Sequence, residues 1–112
     1  MELELMVKVL GEPTRFRIFN CLLERKHCVR SLARKLGVTE SAISQHMKVL
    51  KEAGLVYGER YGYHVHYLPS QEAVDALAAA LGTMAAKSKA LKRDGSSCQC
   101  EYREEDRHAA AR

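Results

Sequence analysis

The stretch HCVRSLARKLGVTESAISQHMKVLKEAGLV, residues 27–56, carries two helical patterns separated by a glycine. Residues 30–36 place apolar side chains on one face, and Gly37 can take the left-handed conformation that ends a helix. Thr39 is a suitable N-cap for a second helix over residues 40–53, in which apolar side chains recur at i, i+4 and i+7. The inward-facing residues are predicted to be Leu32, Ala33, Leu36, Ile43, Met47 and Leu50. Two short helices around a tight turn are typical of DNA-binding proteins.

Two more helices are predicted before this stretch. Gly11 ends the first of them, and Pro13, which is tolerated in a first helical turn, begins the second. Their apolar faces are predicted to consist of Leu3, Met6, Val7 and Leu10 in the first helix and of Phe16, Phe19, Leu22 and Leu23 in the second. Four helices are therefore expected in the first half of the chain.

A hairpin and a long helix are predicted after the quoted stretch. The segment LVYGERYGYHVHYLP, residues 55–69, is rich in aromatic and β-branched residues and has Gly62 in its middle, which indicates a β-hairpin. From Ser70 to about Lys92 a helical pattern resumes, with apolar residues near a heptad seam. At about 1.5 Å per residue this helix is roughly 33 Å long, more than so small a domain needs for its own core. A partner subunit is therefore expected to cover part of it.

The predicted fold is mainly α with a small β-hairpin, in the order α-α-α-α-β-β-α. Residues 1–92 are expected to form one domain, because a chain of 112 residues that is 46% hydrophobic can bury a modest core of its own. Residues 93–112 contain almost no large apolar side chains and are predicted to form a flexible tail, which carries Cys98 and Cys100.

Charge and cysteine content narrow the class of protein. A net charge of +4 and a pI near 9.0 fit a polyanionic partner. No apolar run reaches membrane-spanning length, and the N-terminus MELELMVKVL lacks a signal-peptide pattern, so a cytoplasmic protein without a membrane partner is expected. In that reducing compartment, four cysteines favour metal binding, redox chemistry or burial over structural disulfides.

The outer face of the second helix in the quoted stretch is polar. Serine and glutamine side chains can hydrogen-bond base edges or phosphates, and lysines contact phosphates without choosing a sequence. The predicted DNA contacts are Ser41, Ser44, Gln45, His46, Lys48 and Lys51 on the helix, and Arg60 and His64 on the hairpin. The alternative is an ordinary solvated helix face beside an ordinary hairpin. The ordered set of short helix, glycine turn, long helix and aromatic hairpin favours DNA binding.

Residues 11–68 resemble the winged helix-turn-helix repressors of the arsenic- and metal-sensing ArsR/SmtB family. The segments GEPTRFRIFNCL, SLARKLGVTESAISQHMKVLKEAGLV and the hairpin ending HYL stand where that family has its second helix, its helix-turn-helix and its wing. The resemblance implies a homodimer joined through the first and last helices, with an inverted-repeat operator in double-stranded DNA as its partner. Members of the family respond to metals, metalloids or redox signals, or have no obvious inducer.

The cysteines provide a candidate inducer site. The family's thiol site is a Cys-Val-Cys pattern at the start of the third helix, and HCVRSLA keeps Cys28 but has Arg30 at the second position. The family's other site uses aspartate and histidine pairs on the last helix, where this chain has Asp75 but no histidine. The tail carries CQC instead. A stretched linker from Lys92 to Cys98 spans at most roughly 20 Å, which allows a reach to Cys28 of either subunit. The predicted ligands are Cys28, Cys98 and Cys100.

Three thiolates form a trigonal sulfur site that suits As(III) or Sb(III), the inducers expected here. With His27 or water as a fourth ligand, the same groups suit Cd, Pb or Zn. No cofactor is expected to be required for DNA binding itself.

The same cysteines permit other interpretations. Cys28 can be a small buried residue and the tail pair idle, in which case the regulator has no metal inducer. The nearest rival is a redox or persulfide switch, within the tail pair or between the tail and Cys28. An enzyme that pairs Cys28 with His27 is disfavoured, because neighbouring side chains generally point apart and no oxyanion-hole motif accompanies them. Cys21, inside the apolar stripe of the second helix, is predicted to belong to the core.

Overall fold

The computed structural model describes residues 2–91, 93 and 100 of the chain. Its helices and strands are α1 (Leu3–Leu10), α2 (Pro13–Glu24), α3 (Val29–Leu36), α4 (Glu40–Glu52), β1 (Val56–Tyr61), β2 (His64–Pro69) and α5 (Gln71–Ala90). This order confirms the predicted fold class. Apart from residues 93 and 100, the predicted flexible tail lies outside the described residues. Contacts divide the chain into two units, Met1–Gly82 and Thr83–Arg112. None of the described helices combines the length and apolar character needed to cross a membrane.

Local hydrogen bonds and one glycine set where the helices begin and end. The Glu12 carboxylate accepts the N–H of Arg15 at 2.8 Å at the start of α2, and this bond lowers the pKa of the Glu12 carboxyl. Thr39 Oγ1 accepts the N–H of Ala42 at 3.0 Å at the start of α4. Between them α3 ends at Gly37, whose φ of 68° is a left-handed conformation that a β-carbon would strain. The roles predicted for Thr39 and Gly37 are confirmed.

An apolar core joins the first four helices to the start of β1 and of α5. The largest fully buried side chains are Met6, Ile18, Leu32, Ile43, Met47, Leu50 and Leu55. The predicted inward faces of α3 and α4 are confirmed, with Leu36 partly buried against the core. Burying one such side chain stabilises a fold by about 1.5–3 kcal/mol. Since three residues of α4 are buried in this way, the helix is held with its opposite face toward solvent.

The inward faces of α1 and α2 differ from the predicted ones. The prediction was wrong for Leu3, Val7, Phe16 and Leu23, which are all exposed. In α1 the core takes Val9 instead, and in α2 it takes Ile18. The reason is that α2 contacts α1, α3, α4 and β2, so its position among these neighbours selects which of its apolar residues are buried. The buried set of α2 is Ile18, Phe19, Cys21 and Leu22, which confirms the core role predicted for Cys21.

The hairpin is a two-stranded antiparallel sheet in which β1 and β2 pair along their full length. Its loop is Gly62–Tyr63, and the φ of 62° at Gly62 fits a tight turn with glycine in first position. A single bridge also pairs His27 with Tyr67 of β2: the N–H of His27 donates to the carbonyl of Tyr67 at 3.3 Å, and the reverse bond is 2.7 Å long. The segment before α3 is therefore attached to the hairpin, which we call the wing.

Candidate DNA-binding surface and thiol site

The polar face of α4 is open to solvent. The exposed side chains among its predicted DNA contacts are Ser41, Ser44, Gln45, Lys48 and Lys51. His46 differs from them, because it is half-buried and its Nδ1 lies 3.8 Å from Oε2 of Glu12. The major groove of B-DNA admits an α-helix and presents donors and acceptors that such side chains can read. The helix thus offers hydrogen-bonding groups and cations along the face that the core leaves free.

The wing lies beside α4. The Lys51 ammonium is 5.9 Å from the centroid of the Tyr67 ring, within cation–π range. A hollow of about 260 Å³ lies between the two elements, lined by Ser44, Met47, Lys48, Lys51, Glu52 and Tyr67. Toward the tip Arg60 and His64 are exposed, and Tyr63 is fully so. The eight predicted contacts therefore lie on two adjoining elements, and all but His46 are exposed.

A network that the sequence did not reveal fixes the wing on its other side. The Lys26 ammonium donates to the Tyr61 hydroxyl at 2.9 Å, and this hydroxyl donates to the Glu59 carboxylate at 2.7 Å. The bond to Tyr61 raises the pKa of Lys26. No local pattern could have found this contact, since its partners are 35 residues apart in the chain.

Cys28 is the N-cap of α3. Its Sγ accepts the N–H of Ser31 at 3.4 Å, and this hydrogen bond lowers the pKa of the thiol. The residue is half-buried and contributes to the wall of a hollow of about 400 Å³, together with Val29, Arg30, Glu40, Tyr63, His64, Val65 and Tyr67. The position of Cys28 is thus a capped helix start with access to solvent, and not a closed site in the core.

His27 is buried, with 7% of its surface exposed. The Ser31 hydroxyl donates to the carbonyl of Cys28 at 3.1 Å, so the 2.8 Å contact between Ser31 Oγ and His27 Nδ1 requires the proton to be on Nδ1. Nε2 is then an acceptor, and it has no hydrogen-bond partner in the described part of the chain. Burial lowers the pKa of the ring, and the charges of Lys35 and Arg25 add to the effect. His27 is therefore engaged with Ser31 and not with the Cys28 thiol.

Two of the three predicted metal ligands, Cys28 and Cys100, are among the described residues. Cys98 lies outside the described residues, and Cys100 is exposed. Within residues 2–91, 93 and 100, no three His, Cys, Asp or Glu side chains are grouped in a way that could hold a metal ion. The three-thiolate site stays a prediction, with Cys28 half-buried and Cys100 exposed.

Comparison with known proteins identifies relatives of the DNA-binding part. Residues 12–57 match a family model described as bacterial regulatory protein, arsR family. The HTH-type transcriptional repressor SmtB of Mycobacterium tuberculosis is 42% identical over 62 residues, which is 55% of this chain and 46% of that protein. The chain spans about half the length of the curated relatives it matches.

Solved structures extend the likeness beyond the helix-turn-helix. A possible transcriptional regulator for arsenical resistance is 30% identical, with a TM-score of 0.64 over 78% of this chain and 97% of that one. The homodimeric winged helix-turn-helix DNA-binding domain of a possible ArsR-family regulator from Mycobacterium bovis is 26% identical, with a TM-score of 0.62 over 76% of this chain and 79% of that one. These relatives are named as regulators of transcription, in agreement with the expectation that the chain is not an enzyme.

Proposed function

This chain belongs to the arsR family of bacterial regulatory proteins, and on that premise we propose that it is a transcriptional repressor that binds double-stranded operator DNA as a homodimer. Two α4 helices, one from each subunit, enter successive major grooves of an inverted repeat, about one helical turn apart. The observation that carries this proposal is the row of exposed polar and basic side chains on α4 beside the exposed basic tip of the wing.

The dimer contact is assigned to α1 and α5. Both helices expose large apolar side chains, namely Leu3, Leu5, Val7, Leu81 and Met84. Removing apolar surface from water stabilises an association by roughly 25 cal/mol per Å², and large exposed apolar patches commonly mark protein interfaces. The relative from Mycobacterium bovis is described as homodimeric, which supports the proposal of a dimer.

The inducer is proposed to be a thiophilic ion, As(III) or Sb(III) in the first place. Its ligands are the thiolates of Cys28, Cys98 and Cys100, and Cd, Pb or Zn would add a further ligand to the same set. The accessible position of Cys28 and the lowered pKa of its thiol support this choice, because the thiolate is the form that binds metals.

Ligand capture at Cys28 is proposed to weaken DNA binding through α3 and the wing. A metal on Sγ competes with the hydrogen bond from Ser31 that caps α3, and His27, the preceding residue, is bridged to Tyr67 in the wing. The thiol is therefore connected to α3 through the cap and to the wing through the neighbouring residue His27, and these are the two elements that flank α4. A coupling of about 1–3 kcal/mol between the two sites would lower operator affinity roughly 5- to 150-fold.

DNA binding is tested by fluorescence anisotropy with labelled DNA from upstream of this protein's own gene and a scrambled duplex of the same composition. Gln45→Ala is expected to weaken binding to the operator more than to the scrambled duplex, because glutamine can read a base edge. Lys48→Gln, the matched control on the same face, is expected to weaken both complexes alike, since phosphate contacts carry no sequence information. Equal affinity of the wild type for both duplexes would overturn the proposal of a specific repressor.

Induction is tested on the preformed complex in reducing buffer, with arsenite, antimonite, cadmium, lead and zinc added in turn. The proteins are the wild type, Cys98→Ser/Cys100→Ser, and Cys21→Ala as a control at a buried cysteine. Release of the wild type and the control, but not of the double variant, identifies both the ion and the role of the tail. A complex that withstands every ion rules out the metal site.

A redox or persulfide switch is the second candidate, and the lowered pKa of the accessible Cys28 thiol favours it as well. The two candidates differ in the chemistry of release. Arsenite acting under full reduction supports metal sensing, whereas release by an oxidant or a persulfide donor, reversed by dithiothreitol, supports the switch.

A further inference from the structure

We propose that a basic hollow beside α3 binds phosphate groups, with the backbone of operator DNA as their source. The hollow has a volume of about 350 Å³, and its walls are Arg25, Lys26, His27, Ser31, Arg34 and Lys35. Apart from His27, a possible fourth ligand of the inducer, none of these residues was assigned above to DNA or to the inducer. The inference rests on the proposed function, because it concerns the same DNA.

Four cations surround the hollow, and among the described residues only Lys35 has a carboxylate within ion-pair distance. Lys35 lies 3.5 Å from Glu24 in an exposed pair, and because solvent screens such a pair the carboxylate holds the ammonium only weakly. Lys26 donates to the neutral hydroxyl of Tyr61, and the Glu59 carboxylate attracts it from beyond that hydroxyl without forming a direct ion pair. The side chains of Arg25 and Arg34 form no ion pair with any described residue. Guanidinium groups without a carboxylate partner are suited to phosphate oxygens, which they can bind through two parallel hydrogen bonds.

The hollow is continuous with the DNA-binding surface. Arg34 also lines a neighbouring hollow of about 450 Å³ that includes Arg30 and the residues Thr39 and Glu40 at the start of α4. On the other side, Lys26 is hydrogen-bonded to Tyr61, which pairs across the wing with the predicted DNA contact His64. A basic surface thus extends from the beginning of α4 to the wing, and duplex DNA is the phosphate source that this continuity favours.

The test measures how operator affinity depends on salt. Each phosphate contact adds about 0.9 to the slope of log K against log salt concentration. Arg25→Gln/Lys35→Gln removes two cations per subunit and four per dimer, so the slope is expected to fall by up to about 3.6. Lys87→Gln/Lys89→Gln is the matched control, since it removes the same net charge from the last turn of α5. The control is expected to keep the slope of the wild type.

A second arm identifies the source of the phosphate. Inorganic phosphate is titrated into each protein at constant ionic strength, and the midpoint of thermal unfolding is followed together with the amide chemical shifts of residues 25–35. A reduced salt slope in the Arg25/Lys35 variant supports binding of the DNA backbone. An unchanged slope, with phosphate stabilising the wild type but not the variant, supports the site with a free phosphate as its ligand.

An unchanged slope and no response to phosphate would overturn the inference. Operator binding by the wild type distinguishes failure of this inference from failure of the proposed function. If the wild type does not distinguish the operator from a scrambled duplex, the repressor proposal fails, while the phosphate titration still decides whether the hollow binds an anion.

Discussion

Replacement of Cys28 by alanine or serine separates a capping role from a metal-binding role. The sulfur accepts the N–H of Ser31 at 3.4 Å and thereby caps α3. Alanine removes this acceptor altogether. Serine replaces it with an oxygen, which is a better acceptor than sulfur and one of the preferred N-cap groups. The two variants therefore differ in the cap, whereas both lack the thiolate that a soft ion requires.

The magnitude of the capping effect follows from the geometry. Loss of an oxygen cap costs about 0.5–2 kcal/mol, and a 3.4 Å bond to a weak sulfur acceptor belongs at the low end of that range. We expect Cys28→Ala to lower the free energy of unfolding by about 0.5 kcal/mol and Cys28→Ser to leave it equal or higher. At roughly 4–8 °C per kcal/mol for a domain of this size, alanine lowers the midpoint of thermal unfolding by about 2–4 °C.

The assay combines thermal unfolding at fixed protein concentration with operator binding in the presence of arsenite. Both variants are expected to bind the operator without arsenite and to stay bound when arsenite is added. Serine and alanine variants of equal stability would refute the cap, and arsenite release of the serine variant at wild-type concentrations would refute Cys28 as a ligand.

Three further outcomes test the fold that carries the site. Thr39→Ala loses the acceptor of the Ala42 N–H and is expected to lower the free energy of unfolding by about 1 kcal/mol. Thr39→Ser keeps an acceptor oxygen and is expected to keep the stability of the wild type. Equal midpoints of thermal unfolding for the two variants would contradict the cap. Met47 is 1% exposed, and Met47→Ala is expected to lower the free energy of unfolding in urea by about 2–5 kcal/mol. Met47→Leu is expected to lower it by less than about 1.5 kcal/mol. Similar losses for the two variants would argue against tight packing under α4. Since burial lowers the pKa of His27 from 6.5, its neutral ring stabilises the fold above that pH, and this stability is lost as the pH falls below it. His27→Gln is expected to show a weaker pH dependence of unfolding in that window, and an unchanged profile counts against the buried ring as its source.

The helix-turn-helix could be predicted because its signals are local. Thr39 and Gly37 mark ends that depend on hydrogen bonds and backbone angles within a few residues, and α4 has a single apolar stripe. In α2 the apolar residues occur on more than one face. Periodicity alone could not choose between Phe16, which is exposed, and Ile18, which is buried, because that choice depends on how α2 meets its neighbours.

The residues of the candidate site could likewise be predicted where a local pattern determines them, and not where they depend on contacts between distant segments. The outward residues of α4 follow from its inward stripe, so the exposure of Ser44 and Gln45 could be predicted. The sequence offered no sign that Lys26 would bond Tyr61, because these contacts depend on which strand lies beside the segment before α3. It also could not distinguish Cys28 in the core from Cys28 as a cap, since both fit a helix entrance.

The bridge between His27 and Tyr67 has a consequence for the exchange of amide hydrogens with deuterated water. An isolated two-stranded hairpin is marginally stable, and exchange requires the local opening of hydrogen bonds. The amide hydrogens of His27 and Tyr67 both belong to the bridge, so one opening event exposes both, and we expect them to exchange together and more slowly than those of the loop residues Gly62 and Tyr63. Because His27 directly precedes Cys28, a change at the thiol that loosens the bridge is expected to speed deuterium uptake at Tyr67. This rate can be measured without DNA.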